Sequence, residues 1–279
     1  MYVNGNLADK LIIKLAPTGM IPMKNDTPYV PITPKEIAED TYKAYKLGVS
    51  VVHIHARDEI GKPTYKKEIY EKIISEIKKR CPDIIICAST SGRVYPQVEH
   101  RGEVLDLNPE MASLTVGSLN FPKYPSVNSP ETIKVLAKKM LERGILPELE
   151  IFEPGFINMA NYLARKGYFK LPLHFNLLLG SLGTIPADMR DLTYLVGSLP
   201  LGSIWSATGI GRFQTQINVA AILIGGHVRV GIEDSIYYKY PEKELSTNEK
   251  LVKRIVRIAQ ELGREIATPK EARNILGIN

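Results

Sequence analysis

The segment Val51-Val52-His53-Ile54-His55-Ala56-Arg57 sets two histidines two positions apart inside an apolar, β-branched run. Such a run is a strand, and side chains at i and i+2 of a strand point to the same face, so both imidazoles can meet one cation without backbone distortion. Imidazole is a common zinc ligand, and a catalytic zinc usually takes three protein ligands and keeps one position open. A lone histidine would more often be a packed core residue; a same-face pair shifts the balance toward a metal. The run His227-Val228-Arg229-Val230-Gly231-Ile232-Glu233-Asp234 places Arg229 and Glu233 on one face by the same alternation. Glu233 is therefore the expected third ligand, completing a His2Glu set. Asp234 would face the other way in a regular strand, unless the strand ends there and turns it toward the site. The plainer reading of Arg229 with Glu233 is an internal salt bridge that fills a barrel.

These residues need elements to position them. Apolar segments with the period of a strand alternate with segments of helical period, giving eight strands: Leu11 to Pro17, Ser50 to Arg57, Ile84 to Ser91, Met111 to Ser118, Pro147 to Glu153, His174 to Gly180, Ser203 to Gly209 and His227 to Asp234. Thr33-Pro34 with Glu36 opens a helix reaching Leu47, Ser129-Pro130-Glu131 opens another ending near Gly144, and Gly167 closes the next. Strict alternation implies a parallel sheet, and eight repeats imply closure into an α/β, (β/α)8 TIM barrel spanning residues 1–279 as one catalytic domain. A doubly wound open sheet is the alternative, but no dinucleotide fingerprint follows the first strand. In a barrel, chemistry gathers at the C-terminal strand ends. Here those ends carry His55 and Arg57, Ser89 to Arg93, Ser113 and Thr115, then Glu148, Glu150 and Glu153.

Composition removes other classes. The chain has 279 residues, 44% of them hydrophobic, enough for a large core. Its net charge of +6 is spread along amphipathic helices, such as Lys67 to Lys79 and Lys250 to Arg264, as a solvated face is, and argues against nucleic-acid binding. Cys81 and Cys87 have neither a redox nor a zinc spacing, which fits a reducing cytoplasm. Neither a secretory leader in Met1 to Lys10 nor a membrane-spanning run is expected.

The motifs His53-Ile54-His55-Ala56-Arg57, Ser89-Thr90-Ser91-Gly92, Pro109-Glu110-Met111-Ala112-Ser113, Pro147-Glu148-Leu149-Glu150 and Gly225 to Asp234, together with Ala16-Pro17-Thr18-Gly19 and Ala267 to Arg273, resemble the β-keto acid cleavage enzymes, including those acting on 3-keto-5-aminohexanoate. No single motif is decisive; their order and spacing along nearly the whole chain are. The resemblance implies a zinc-dependent homotetrameric TIM barrel with acetyl-CoA as cosubstrate, converting a β-keto acid into acetoacetate and a new acyl-CoA. It implies metal ligation by His53, His55 and Glu233, a catalytic base at Asp234 supported by Arg229, and substrate contacts from Ser89, Ser91, Gly92, Ser113 and Glu150.

One departure points to a different substrate. In the aminohexanoate-cleaving members a glutamate stands two residues after the strand-one glycine, suited to an ammonium; here that position is Ile21. The expected substrate therefore has a neutral or anionic tail, with Arg93 and Lys24 as candidate partners of that anion or of CoA phosphates. Two rivals remain. An amidohydrolase-type metal hydrolase would recruit His174 and Asp234 beside the His-x-His pair, although there the pair sits on the first strand. A non-catalytic barrel would use its polar strand ends structurally.

Overall fold

The computed structural model describes residues 9–278. Eight parallel strands close into a barrel in chain order: β1 (Ile13–Leu15), β2 (Val51–Ile54), β3 (Ile85–Ala88), β4 (Met111–Thr115), β5 (Leu146–Ile151), β6 (His174–Leu179), β7 (Ile204–Gly209) and β8 (His227–Val230). Each lies within, or one residue beyond, a strand read from the sequence. β8 returns to β1 with Lys14 opposite Arg229, which rules out an open doubly wound sheet. The fold is a (β/α)8 barrel.

The strands are followed by α1 (Pro34–Tyr45), α2 (Lys67–Arg80), α3 (Val98–Gly102), α4 (Pro130–Glu142), α5 (Pro154–Arg165), α6 (Met189–Ser198), α7 (Gln214–Leu223) and α8 (Asn248–Glu261), with α9 (Pro269–Leu276) last. α1 starts where Thr33 and Glu36 form a reciprocal capping box ahead of Pro34, satisfying backbone donors that a helix start leaves open. It ends two residues earlier than the sequence pattern suggests, and Gly48 then takes the left-handed turn at φ 102°. Ser129 caps α4 through the Thr132 amide, and Gly144 and Gly167 turn the chain after α4 and α5 at φ 67° and 79°. The β3-to-β4 crossover departs from the pattern, with α3 running into a 3-10 turn over Glu103–Leu107.

The main core lies between strands and helices, where Leu15, Val52 and Ile54 meet α1, α2 and α8 residues such as Ile37, Ile73 and Leu251. A second cluster fills the N-terminal end of the barrel. There Ile12, Val51, Ile85 and Met111 pack against Ala272 and Leu276 of α9. Burying a leucine such as Leu276 contributes about 1.5–3 kcal/mol, which holds α9 across that end and leaves the opposite mouth for ligands. Among the described residues no helix is long and apolar enough to cross a membrane. Cys81 and Cys87 are both free and buried. The first eight residues of the segment Met1 to Lys10, where no secretory leader is expected, lie outside the described residues.

Above this apolar plug the barrel interior is polar. Glu148, expected at a strand end, instead lies in the interior and forms an ion pair with Lys14, both almost wholly inaccessible to water. Burial pushes the Lys14 ammonium down to about 7. Glu148→Leu leaves that lysine buried without its partner, and a loss of about 3–5 kcal/mol in unfolding free energy is expected. Chemical denaturation checks this, with the Lys14→Met/Glu148→Leu double variant regaining most of the loss. Equal destabilisation of single and double variants would count against the pair as the cause.

Candidate active site

His53 and His55 point into the barrel from the end of β2, as their spacing requires. Their Nε2 atoms are 3.1 Å apart, and the Glu233 Oε1 atom lies 3.2 Å from His55 Nε2 and 3.9 Å from His53 Nε2. Two imidazole nitrogens and a carboxylate oxygen thus converge within 4.8 Å of one another. Nitrogens each bound about 2 Å from one ion would lie about 3 Å apart, so the set fits a metal ion, and its N2O chemistry suits zinc. Glu233 Oε2 is buried without a hydrogen-bond partner, and so is His53 Nδ1. Burial holds the His53 imidazole well below its ordinary value, keeping it in the neutral form that a metal requires.

The turn after β8 decides which way the acids point. β8 ends at Val230, and only a glycine fits at the next position, since a Cβ on Gly231 would lie 2.0 Å from the Ala16 carbonyl oxygen. The chain then turns, with the Asp234 and Ser235 amides donating to the Gly231 carbonyl. Both Glu233 and Asp234 thereby reach Arg229. Arg229 Nε and Nη2 donate to the two Asp234 oxygens at 2.8 and 2.9 Å, and Nη2 also donates to Glu233 at 2.7 Å. The salt bridge expected of Arg229 is therefore present, within the same cluster as the candidate ligands. Burial works against the Glu233 carboxylate, but Arg229 and the two histidines hold it well below the usual carboxylate range. Burial outweighs Arg229 at Asp234, whose carboxyl is raised above its ordinary value. The two neighbouring acids are thus driven apart, one suited to ligation and one to accepting a proton.

The remaining sequence candidates divide. Ser89 and Gly92 are buried and Ser91 half-buried at the end of β3, where Ser89 Oγ accepts the Ser91 amide. Ser113 is buried on β4, and its carbonyl accepts the Thr90 hydroxyl at 2.6 Å. Glu150 accepts the Thr115 hydroxyl at 2.6 Å and lies 3.6 Å from Arg229 Nη1, so it belongs to the same charge cluster. A cleft beside His55 is lined by Met20, Ser89, Ser91, Tyr70 and Arg101. Glu153 heads α5. Lys24 lies outside the site, bound to Glu36 and the Pro28 carbonyl. His174 starts β6, opposite Glu148, in the lower interior; it is not brought to the His-x-His pair, as a hydrolase of the rival type would need.

Several supporting residues had no sequence signal beyond their polarity. Arg101 ties the strand-three loop down by donating to the Thr90 carbonyl and to Asn128. Gln214 holds the Gly231 carbonyl, while Asn248 accepts the Ile232 amide and donates to the Pro17 carbonyl. Gly19, at φ 63°, lets the first loop lie directly against Glu233, since a Cβ there would come within 2.4 Å of Glu233 Cγ. Gly19→Ala should displace Glu233 and weaken metal affinity by about tenfold, the lower end of what loss of ligand support costs. Titration of the metal-free protein with zinc measures this, and unchanged affinity would show that Glu233 needs no such support.

The model of a family described as beta-keto acid cleavage enzyme matches residues 10–278. A 3-keto-5-aminohexanoate cleavage enzyme of Fusobacterium nucleatum is 43% identical over 275 residues, covering 98% of this chain and 99% of its own length. A 3-oxoadipate:acetyl-CoA acetyltransferase of Cupriavidus necator is 35% identical, covering 96% and 94%. Among solved structures, a ternary complex of ObcA with a C4-CoA adduct and oxalate shares the fold at TM-score 0.78 and 23% identity, covering 90% of this chain and 68% of that one.

Proposed function

This chain belongs to the β-keto acid cleavage enzyme family, and on that premise we propose that it is a zinc-dependent enzyme that exchanges acyl groups between a β-keto acid and acetyl-CoA. The observation that carries the reading is the convergence of His53, His55 and Glu233 beside the Arg229–Asp234 pair. A divalent cation held by those three residues would act as a Lewis acid, stabilising negative charge that develops on the keto oxygen.

The chain's own residues account for the rest. Ser89, Ser91 and Gly92 just after β3 and Ser113 on β4 hold the substrate, with Gly92 allowing close backbone approach. Asp234 takes a proton from the carbon between keto and carboxylate groups, and Arg229 aims the Asp234 carboxylate and offsets part of the cost that burial puts on its charge. The resulting carbanion forms a bond to the acetyl carbonyl carbon and expels the CoA thiolate. That thiolate adds to the original keto carbon, the bond between that carbon and the former carbanion breaks, and Asp234 returns the proton. The products are acetoacetate and a new acyl-CoA. Glu150, fixed by Thr115 and close to Arg229, keeps the guanidinium from drifting off Asp234.

The substrate is not 3-keto-5-aminohexanoate on this reading. Ile21 is apolar and 58% exposed on the loop after β1, so it gives an ammonium no partner. A coupled assay for CoA-ester formation from acetyl-CoA across a panel of β-keto acids tests both parts. Product from none of them, with zinc bound, would refute the cleavage activity. A clear preference for 3-keto-5-aminohexanoate would refute the reading of Ile21.

A further inference from the structure

The cations around the barrel mouth differ in what they already hold. Arg57 donates to the Gly19, Gly61 and Pro22 carbonyls. Arg229 is surrounded by Asp234, Glu233 and Glu150, and Lys24 is paired with Glu36. Arg101 has two of its three nitrogens tied to the Thr90 carbonyl and Asn128. Arg93, one residue beyond Gly92, stands apart. Among the described residues its guanidinium has neither a hydrogen-bond acceptor nor an ion-pair partner, and its Nε is buried unpaired.

Arg93 is nevertheless fixed in place. Its guanidinium lies over the Phe121 ring, 3.4 Å from the centroid, and Phe121 is braced edge-on by Phe152 at 5.5 Å. Stacking of this kind restrains the plane of a guanidinium and leaves its terminal Nη donors for an acceptor in that plane, an arrangement matched to a planar carboxylate. A half-buried charge without a partner is costly, so a receptor for an anion accounts for it better than a solvated side chain does. Arg93 sits on the loop after β3, directly behind Ser91 and Gly92, with its amide donating to Ser91 Oγ, and it feels the charges of Glu233, Glu150 and Asp234 as well as the opposing charge of Arg229.

We infer that Arg93 selects the tail of the substrate, and that the preferred substrate is a β-keto acid carrying a second carboxylate at the end remote from the reacting one. This rests on the cleavage reading above. There the reacting carboxylate and keto group are held by the metal and by the serines of β3 and β4, so the tail is the part left to meet the loop that carries Arg93 and the Phe121 platform. An ammonium tail would meet a like charge at Arg93.

The test measures kcat/KM with acetyl-CoA for three β-keto acids of equal chain length: 3-oxoadipate, with a carboxylate tail; 3-oxohexanoate, with a neutral one; and 3-keto-5-aminohexanoate, with an ammonium. The parent protein should prefer 3-oxoadipate. Arg93→Met should lower the ratio of 3-oxoadipate to 3-oxohexanoate by roughly ten- to hundredfold, mainly through KM, as loss of a charged hydrogen-bonded pair does. Arg93→Lys should recover part of that ratio. An unchanged ratio in Arg93→Met, or an increase confined to the KM for acetyl-CoA, overturns the assignment while leaving the cleavage activity intact. Absence of CoA ester from all three substrates refutes the cleavage reading and this proposal with it.

Discussion

His53→Ala and His55→Ala are each expected to bind no stoichiometric zinc and to lose all measurable turnover, while the barrel stays folded. The two Nε2 atoms face each other at 3.1 Å, so removing either takes away half of the nitrogen donors and leaves one imidazole with Glu233. A site reduced to two protein ligands falls below what a catalytic zinc needs. Folding should survive because the apolar plug of Ile12, Val51, Ile85 and Leu276 and the strand–helix core make no use of the imidazoles. Metal content by mass spectrometry and far-UV circular dichroism separate the two effects. Full zinc occupancy in either variant would show that the two histidines are not both ligands. Glu233→Gln should lose less affinity than either alanine variant, because an amide oxygen can still coordinate weakly.

Asp234→Asn should keep zinc and lower kcat by about two to four orders of magnitude, the range for removal of a positioned general base. An amide preserves size and can still accept from Arg229, yet it cannot take a proton from carbon. Arg229 does not become an isolated buried charge in this variant, since Glu233 and Glu150 remain beside it. Exchange of the substrate's C2 hydrogen with deuterium, followed by NMR without acetyl-CoA, isolates proton transfer from the later steps. Exchange at the parent rate would move the role of base elsewhere, with Glu150 the next candidate. Arg229→Met should slow the same exchange, because Asp234 would lose both its orientation and the charge that favours ionisation.

By itself the sequence determined the elements and the histidine pair. Strand and helix periods are written over a few consecutive residues, so Leu11 to Pro17 and seven later runs could each be recognised locally; eight alternations pointed to a parallel barrel, while the open doubly wound sheet, which buries both faces as well, was excluded only by the pairing of β8 with β1. The spacing of His53 and His55 fixed their common face for the same reason. Tertiary structure alone decided what each polar side chain meets. Whether Asp234 points inward depended on the turn after β8, where only a glycine fits at 231 and the Glu233 amide donates to the Ala16 carbonyl just beyond β1. Glu148 looked like a strand-end acid until barrel closure set Lys14 against it. Arg93 and Lys24 were equal candidates as anion partners, and only the fold gave Lys24 to Glu36 and left the Arg93 guanidinium on Phe121 without an acceptor among the described residues. Periodicity is a property of neighbours in the chain, whereas the partner of a buried charge is set by closure between residues far apart in sequence.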